Sequence, residues 1–262
     1  MESKFSKVLL VHNNRKTSKH EKCIENIKKI ISGINFEIID VDNINKNHFD
    51  NVDLVITAGG DGTFIKAASF LNDTLIIGIN SEPELSEGFL TSIHENEMHY
   101  LKEMISGKYK IIERERAEVK INGNKIIDLA LNDVYVGSKL QFHTSRYIIE
   151  LKDTKEEQRS SGVLVSTGSG STAWYESAGG KPFHYTDKKL KFLVREPYTQ
   201  RIFRPEILTG EINEKEKINF ESKRYDGGII SVDSFKMYDF NLGDKAEIKM
   251  SNKPLKVIIP IK

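Results

Sequence analysis

The chain has 262 residues, of which 38% are hydrophobic and 29% charged, and its 39 basic residues almost balance its 38 acidic residues. This composition is typical of a globular protein with one large domain or two modest ones. A net charge of +1 excludes a global field that would draw the protein to nucleic acid or to a membrane surface. The single cysteine, Cys23, excludes an internal disulfide and favours a reducing compartment.

The beginning of the sequence predicts a cytoplasmic protein. Residues 1–7 are short and polar and lead into an apolar run of about six residues, which is too short for the apolar region of a signal peptide. No stretch of the sequence reaches the roughly 20 apolar residues of a membrane-spanning helix.

The first part of the chain alternates predicted strands and helices. Apolar runs predict strands at residues 7–12, 36–41, 53–57 and 75–79. Ser18, with Glu21 three residues later, predicts a capping box at the start of a helix that Gly33 ends. A second helix is predicted around Met98 to Ile105. Strands that alternate with helices are typical of a parallel sheet covered on both faces.

The pattern changes near residue 110, where short strand-like runs separated by Gly, Asn and Asp take over. The runs lie at residues 117–121, 126–136, 147–151, 163–165 and 191–194. We therefore predict a Rossmann-like α/β domain over residues 1–107 and a β-rich, β-sandwich-like domain over residues 108–262. A return of the last strand to the first domain is left open. The active site is expected between the two domains, where ligand sites are frequent.

The strongest local motif is Gly59-Gly60-Asp61-Gly62-Thr63, directly after a predicted strand. Glycines let the backbone turn sharply and approach a ligand closely, so that successive N–H groups can line a phosphate. A carboxylate in such a turn is suited to accept a proton from an attacking hydroxyl or to help hold Mg²⁺. The alternative is a tight strand-to-helix connection in which Asp61 only caps the helix.

A second segment, from Ser161 to Trp174, joins an apolar strand to a short predicted helix through Gly, Ser and Thr residues. Such a loop offers hydroxyls and open backbone groups to a sugar or a base edge. The alternative is a flexible surface loop, but the apolar strand before it and Ala173-Trp174 after it favour an ordered one. We expect Trp174 to pack beneath this loop.

Together these segments resemble the NAD kinase family. The turn alone is shared with diacylglycerol and sphingosine kinases, whereas Gly170-Ser171-Thr172-Ala173-Trp174 is similar to a segment that distinguishes NAD kinases. Further similar segments follow in the family's order: Gly78-Ile79-Asn80, Gly88-Phe89-Leu90-Thr91, Asn132-Asp133 and Asp233. Arg159-Ser160-Ser161-Gly162 and Val194-Arg195-Glu196-Pro197 resemble the mitochondrial-type members most closely.

The resemblance implies an ATP- and Mg²⁺-dependent NAD kinase that phosphorylates the 2′-hydroxyl of the adenosine ribose of NAD. Asp61 would be the catalytic base, and no protein side chain is assigned as a metal ligand. A homodimer or homotetramer is implied, without a nucleic-acid or membrane partner. The implied NAD- and ATP-binding residues are Gly59, Gly60, Gly62, Thr63, Asn132, Asp133, Arg159, Ser161, Ser169, Thr172, Ala173 and Asp233.

Three residues depart from the family's usual pattern. Asp133 stands in place of Glu, Ser161 in place of an Asp that is common in bacterial members, and Ser234 in place of Gly. Two alternative functions stay open: a lipid kinase of the diacylglycerol or sphingosine type, because of the shared turn, and a non-catalytic protein that senses NAD or NADP, because of these departures. The choice between NAD and NADH, and between ATP and polyphosphate, is open as well.

Overall fold

The computed structural model describes residues 4–199 and 204–261 and divides the chain into two compact units. The first unit comprises residues 1–114 and 255–262, and the second comprises residues 115–254. The division thus falls after Arg114 instead of after residue 107, because the strand Tyr109–Arg114 pairs with the strand Leu255–Pro260 in the sheet of the first unit.

The first unit is an α/β domain with one seven-stranded sheet. Its elements are β1 (Lys7–His12), α1 (Ser18–Ile31), β2 (Asn35–Asp40), a 3₁₀ helix (Lys46–Phe49), β3 (Leu54–Ala58), α2 (Asp61–Ala68), β4 (Leu75–Asn80), β5 (Ile93–His94), α3 (Met98–Ile105), β6 (Tyr109–Arg114) and the returning last strand, β19 (Leu255–Pro260). The strand order is β2-β1-β3-β4-β19-β6, with β5 paired to β4. The strands from β1 to β4 are parallel to one another, and β19 runs parallel to β4.

The central strands are buried along their length, as continuous apolar runs predict for a parallel sheet. All five residues of β3 are buried, and the core extends to Cys23 and Ile27 of α1. Burial raises the pKa of the Cys23 thiol to about 12, so this cysteine is a packing residue and not a nucleophile.

The start of α1 differs by one residue from the expected capping box. Thr17, with extended backbone angles, is the N-cap, and its side chain accepts a hydrogen bond of 3.2 Å from the His20 N–H. Ser18 is already the first helical residue. Both residue types are good N-caps, so the sequence alone did not distinguish them.

The second unit is a sandwich of two antiparallel sheets. Its elements are β7 (Ala117–Ile121), β8 (Asn124–Lys125), β9 (Asp133–Ser138), β10 (Ser145–Leu151), β11 (Thr154–Ser160), β12 (Val163–Ser166), α4 (Trp174–Ser177), β13 (Lys189–Val194), β14 (Thr209–Asn213), β15 (Lys217–Ser222), β16 (Gly228–Val232), β17 (Lys236–Asp239) and β18 (Lys245–Met250). The strand orders are β11-β10-β15-β18-β7-β8 and β14-β13-β12-β9-β16-β17. Inward residues of both sheets, such as Phe220 and Phe192, share one apolar core.

One predicted strand proved wrong in its extent. The apolar run at residues 126–136 was expected to be continuous, but residues 126–132 form a connection between β8 and β9 with a single bridge from Ala130 to Ala117. The connection is buried at Leu129, Ala130 and Leu131. Burial thus produced the same apolar signal as a strand would. No helix among the described residues has the length and apolarity needed to cross a membrane.

Candidate active site

The Gly59-Gly60 turn connects β3 to α2 at the edge of the sheet where the parallel strands end, which is where α/β proteins bind ligands. A Cβ atom on Gly59 would lie 2.4 Å from Thr63 Oγ1, and one on Gly60 would lie 2.5 Å from Ser86 Oγ. A side chain at either position would force these neighbours to move. Gly62 is different, because it is exposed and a Cβ there would meet nothing within 4 Å. The space above Gly62 is therefore open to a ligand.

The first turn of α2 presents unsatisfied backbone donors. Gly60 is the N-cap and provides no side-chain hydrogen bond, and Asp61 is the first helical residue, so the alternative in which Asp61 caps the helix is wrong. Within the described part of the chain, the N–H groups of Asp61 and Gly62 have no acceptor. Free N–H groups at the positive end of a helix dipole attract phosphate.

The Asp61 carboxylate is fixed by the loop that follows β4. Its Oδ1 accepts a 2.8 Å hydrogen bond from the Leu90 N–H, and its Oδ2 accepts one of 3.1 Å from the Phe89 N–H. Burial raises the pKa of Asp61, and these two hydrogen bonds and the charge of Arg114 oppose that rise. Each oxygen keeps a lone pair for a substrate hydroxyl. The geometry suits a carboxylate that accepts a proton in a fixed orientation.

In the second unit, Asp233 holds the backbone of residues 131–133. Its carboxylate accepts hydrogen bonds from the N–H groups of Leu131 (2.9 Å), Asn132 (2.7 Å) and Asp133 (3.2 Å). The Asp233 N–H in turn donates to the Asp133 carbonyl at 3.0 Å. Both Asp233 and Ser234 have left-handed backbone angles, with φ of 49° and 63°. The carboxylate of Asp233 thus shapes the Asn132-Asp133 segment from beneath.

Two oxygen atoms in this segment are buried and unpartnered. Asn132 Oδ1 and Asp133 Oδ1 have no hydrogen-bond partner among residues 4–199 and 204–261. Burial, with the nearby charge of Asp233, raises the pKa of Asp133 to about 7, and burial raises that of Asp233 to about 6. A buried acceptor without a donor costs free energy. Both oxygens are therefore available to hydroxyl or amino groups of a ligand.

The Gly/Ser loop after β12 packs closely on the same segment, which rules out the alternative of a flexible surface loop. A Cβ on Gly170 would lie 2.2 Å from the Asn132 carbonyl oxygen, and one on Gly168 would lie 2.3 Å from the His184 carbonyl oxygen. The Thr167 N–H donates to the Asn132 carbonyl at 2.9 Å, and the Thr167 hydroxyl donates to the Leu131 carbonyl. These contacts bring the loop and Asn132 together.

The predicted contact residues of this loop differ in exposure. Ser169 is buried, Thr172 is half-buried, and Ala173 is exposed just before α4. Trp174 packs on Tyr135 with a ring distance of 5.4 Å, and the Arg195 guanidinium lies 5.0 Å from the Trp174 ring centre. The indole is therefore a packing residue of the loop, as expected.

Ser161 is not brought next to Asp133 within the second unit. Asp133 pairs with Ser166 at the end of β12, whereas Ser161 precedes the first residue of that strand, Val163. The extended chain from Ser161 to Ser166 spans roughly 17 Å. Arg159 lies on β11, and Ser161 lines a pocket of about 430 Å³ with Glu196 and Tyr198 among its other walls.

The sequence assigned no role to the side chains that support the turn at Gly59 to Thr63, called the phosphate turn below. Asn80 is fully buried at the end of β4, where its Nδ2 donates to the Ser86 carbonyl at 2.7 Å and its Oδ1 accepts from the Glu82 N–H at 3.2 Å. A Cβ on Gly88 would lie 2.5 Å from Asn80 Nδ2. A polar residue that ends a buried parallel strand was the available signal. In the described ranges, no three His, Cys, Asp or Glu side chains form a metal-ligating group.

Comparisons with known proteins agree on one family. Residues 1–109 match the family model of the ATP-NAD kinase N-terminal domain. The chain is 30% identical to a probable NADH kinase of Oryza sativa subsp. japonica, over 92% of this chain and 82% of that protein. It is 29% identical to the mitochondrial NAD kinase 2 of Homo sapiens, over 60% of this chain and 47% of that protein. Its fold is similar to an NAD kinase from Archaeoglobus fulgidus solved in complex with ATP, with a TM-score of 0.75, 24% identity and coverage of 96% of this chain and 92% of that one.

Proposed function

The chain belongs to the NAD kinase family, and we propose that it transfers the terminal phosphoryl group of ATP to the 2′-hydroxyl of the adenosine ribose of NAD, which gives NADP. The observation that carries the proposal is the phosphate turn, where the free N–H groups of Asp61 and Gly62 lie next to a carboxylate in a fixed orientation. Phosphoryl transfer depends on positioning and on neutralised charge more than on covalent chemistry by the protein.

Asp61 is assigned as the catalytic residue. Its carboxylate would accept the proton of the ribose 2′-hydroxyl as the oxygen of that hydroxyl attacks the γ-phosphorus of ATP, and ADP would leave. The hydrogen bonds from Phe89 and Leu90 keep the carboxylate in one orientation. Because burial raises the pKa of Asp61, the carboxylate is a better base than an exposed aspartate. Gly59, Gly60, Gly62 and Thr63 shape the turn around the phosphates.

Adenosine recognition is assigned to the second unit. The unpartnered oxygens of Asn132 and Asp133 would accept hydrogen bonds from the adenine amino group or the ribose hydroxyls. Ser169, Thr172 and Ala173 would line the adenine site. Asp133 is one methylene shorter than the family's usual Glu, so the ribose would approach its backbone more closely.

The remaining predicted residues receive separate roles. Arg159 and Ser161 are proposed to contact the part of NAD farther from the adenosine, because Ser161 lies roughly 17 Å of extended chain before Ser166, the partner of Asp133, and Arg159 precedes Ser161 on β11. Asp233 is proposed to act through the backbone that it holds instead of by contact with NAD, since it is buried and its carboxylate accepts three backbone hydrogen bonds.

Magnesium is proposed to arrive with ATP. Mg²⁺ keeps several waters and is commonly held by substrate phosphates. No protein side chain is assigned as its ligand here, because the Asp61 carboxylate would accept the proton of the ribose hydroxyl. The ion would neutralise charge on the phosphates during transfer. A cytoplasmic location and a homodimer or homotetramer are proposed as well, and light scattering of the purified protein tests the second.

The proposal is tested with a panel of acceptors. Purified protein is incubated with ATP and Mg²⁺ and with NAD, NADH, diacylglycerol or sphingosine, and the phosphorylated product is measured for each. We expect a product from NAD, with or without one from NADH, and none from the lipids. A lipid product without NADP would replace the proposal by a lipid kinase. NAD binding without turnover, with ATP or with polyphosphate, would replace it by a sensor.

A further inference from the structure

A cluster of polar side chains beside the phosphate turn has no part in the steps described above. It comes from the loop after β1, the start of α1 and the loop after β4, and its members are Asn13, Arg15, Thr17, His20, Ser81 and Glu82. Glu82 is 4% exposed, His20 is 1% exposed and Ser81 is fully buried. Buried charged groups are costly unless they are paired, and an apolar replacement is often as stable. Stability alone therefore does not explain this cluster, which indicates a functional role.

Glu82 holds the side chain of Arg15. One carboxylate oxygen accepts from the Thr17 hydroxyl at 2.6 Å, and the other accepts from Arg15 Nη1 at 2.9 Å. Burial opposes ionisation of Glu82, but the hydrogen bonds from Thr17 and Arg15 lower its pKa, so it is ionised at neutral pH. The pair is a charged hydrogen bond with its acid component fixed in the protein interior.

Asn13 and His20 fix the backbone of the same loop. His20 Nε2 lies 3.0 Å from the Asn13 carbonyl oxygen, and His20 Nδ1 lies 2.8 Å from Ser81 Oγ. Because a carbonyl only accepts, Nε2 carries the proton and Nδ1 accepts from the Ser81 hydroxyl. Asn13 Oδ1 accepts from the Arg15 N–H at 3.1 Å. Arg15 is thus held at its backbone and at its guanidinium.

Asn13 and Glu82, the two residues that hold Arg15, also contact the phosphate turn. A Cβ on Gly59 would lie 2.9 Å from Asn13 Nδ2, and the Asn13 N–H donates to the Ala58 carbonyl at 3.4 Å. On the other side, the Glu82 carbonyl accepts from the Ser86 N–H at 3.2 Å. Ser86 is also the residue that a Cβ on Gly60 would meet. Arg15 is therefore positioned from both sides of the turn.

The Arg15 side chain is 44% exposed, and only Nη1 is bonded among the described residues. Most of the five N–H donors of its guanidinium are thus left for an anion. We propose that Arg15 binds the triphosphate of the nucleotide donor at the phosphate turn, in an orientation set by Glu82. This inference rests on the proposed function and deepens it. A planar guanidinium matches phosphate oxygens in pairs, which an ammonium does not.

The test compares Arg15→Ala and Arg15→Lys with the control Lys16→Ala, which removes a neighbouring exposed cation. Calorimetry gives the Kd of each protein for ATP, for inorganic tripolyphosphate and for NAD, and kinetics give kcat/KM for ATP. We expect Arg15→Ala to lower kcat/KM for ATP about 100-fold and to weaken tripolyphosphate binding, with the NAD Kd unchanged. Arg15→Lys should recover part of the loss, and Lys16→Ala should match the wild type.

Arg15→Ala leaves the buried Glu82 carboxylate without its cation, which can prevent folding. If Arg15→Ala does not fold, the double variant Arg15→Ala/Glu82→Gln is compared with Glu82→Gln instead. Unchanged ATP and tripolyphosphate binding in Arg15→Ala or in that pair overturns the inference, and NADP formation by the wild type then leaves the proposed function intact. Equal losses for ATP and NAD overturn it too, since they indicate a structural role. Arg15-dependent tripolyphosphate binding in a wild type that makes no NADP supports the anion site and sinks the proposed function.

Discussion

At the scale of single residues, three aspartates differ in how many hydrogen-bond acceptor sites of their carboxylates remain free for a ligand. Asp61 is held by two N–H groups and keeps lone pairs for a hydroxyl, and one oxygen of Asp133 is unpartnered. Asp233 is buried and its carboxylate accepts three backbone hydrogen bonds. The roles that we propose for the three aspartates, catalytic, binding and structural, therefore follow from their environments and not from the residue type.

The buried carboxylate of Asp133 makes stability depend on pH. An unfolded aspartate titrates near pH 4, whereas burial and Asp233 raise the pKa of Asp133 to about 7 in the folded protein. Between these values the folded chain binds a proton that the unfolded chain has lost, so the free energy of unfolding falls as the pH rises from about 4 to about 7.

Asp133→Asn removes this titration. We expect the variant to be more stable than the wild type by about 1–3 kcal/mol at pH 8, with the difference shrinking towards pH 4, and to bind NAD more weakly. Urea unfolding across this pH range measures the first effect, and calorimetry with NAD measures the second. A stability difference that is independent of pH would contradict the account.

At the scale of elements, the apolar pattern predicted the parts of the fold that depend on local periodicity. The strands β1 and β7 have the predicted bounds, and α1 lies where it was predicted, with its N-cap one residue earlier, at Thr17. Local periodicity does not show which distant segments pair. We therefore expected β6 in the second domain, although it pairs with β19 in the first. The turn at Gly59 and Gly60 could be predicted because the backbone there lies close to neighbouring side chains, which favours glycine, whereas the Arg15–Glu82 pair joins two loops that share no sequence pattern.

The turn between β16 and β17 depends on Asp233. We expect Asp233→Ala to destabilise the protein by about 2–4 kcal/mol, because three buried or half-buried N–H groups lose their acceptor and alanine is strained at a φ of 49°. Asp233→Asn, which tolerates this conformation and keeps one oxygen, should lose less. Thermal unfolding of both variants provides the measurement. Unchanged stability with weakened NAD binding would show instead that Asp233 contacts the ligand.

At the scale of the whole molecule, the first unit is built from both ends of the chain. The strand β19 lies between β4 and β6, and its residues Leu255, Val257 and Ile258 are fully buried. Its removal would leave two neighbouring strands without their partner and would expose the core.

We therefore expect deletion of residues 255–262 to abolish cooperative folding of the first unit, while the second unit, which these residues do not enter, keeps its own sheets. Hydrogen exchange resolved along the sequence distinguishes the two units, with protection lost in β1, β3 and β4 and kept in β9 and β12. Full protection of the first unit in the truncated chain would contradict this description of the core.

The central claim is that Asp61 at the phosphate turn drives phosphoryl transfer to NAD, and one measurement tests it most directly. NADP formation from NAD, ATP and Mg²⁺ is followed for the wild type and for Asp61→Asn, with the Kd of each protein for NAD measured alongside. The account predicts NADP from the wild type, a rate lower by about 10²–10⁴-fold in the variant, and a similar Kd. Equal rates, or lost NAD binding with turnover per bound substrate preserved, would contradict it.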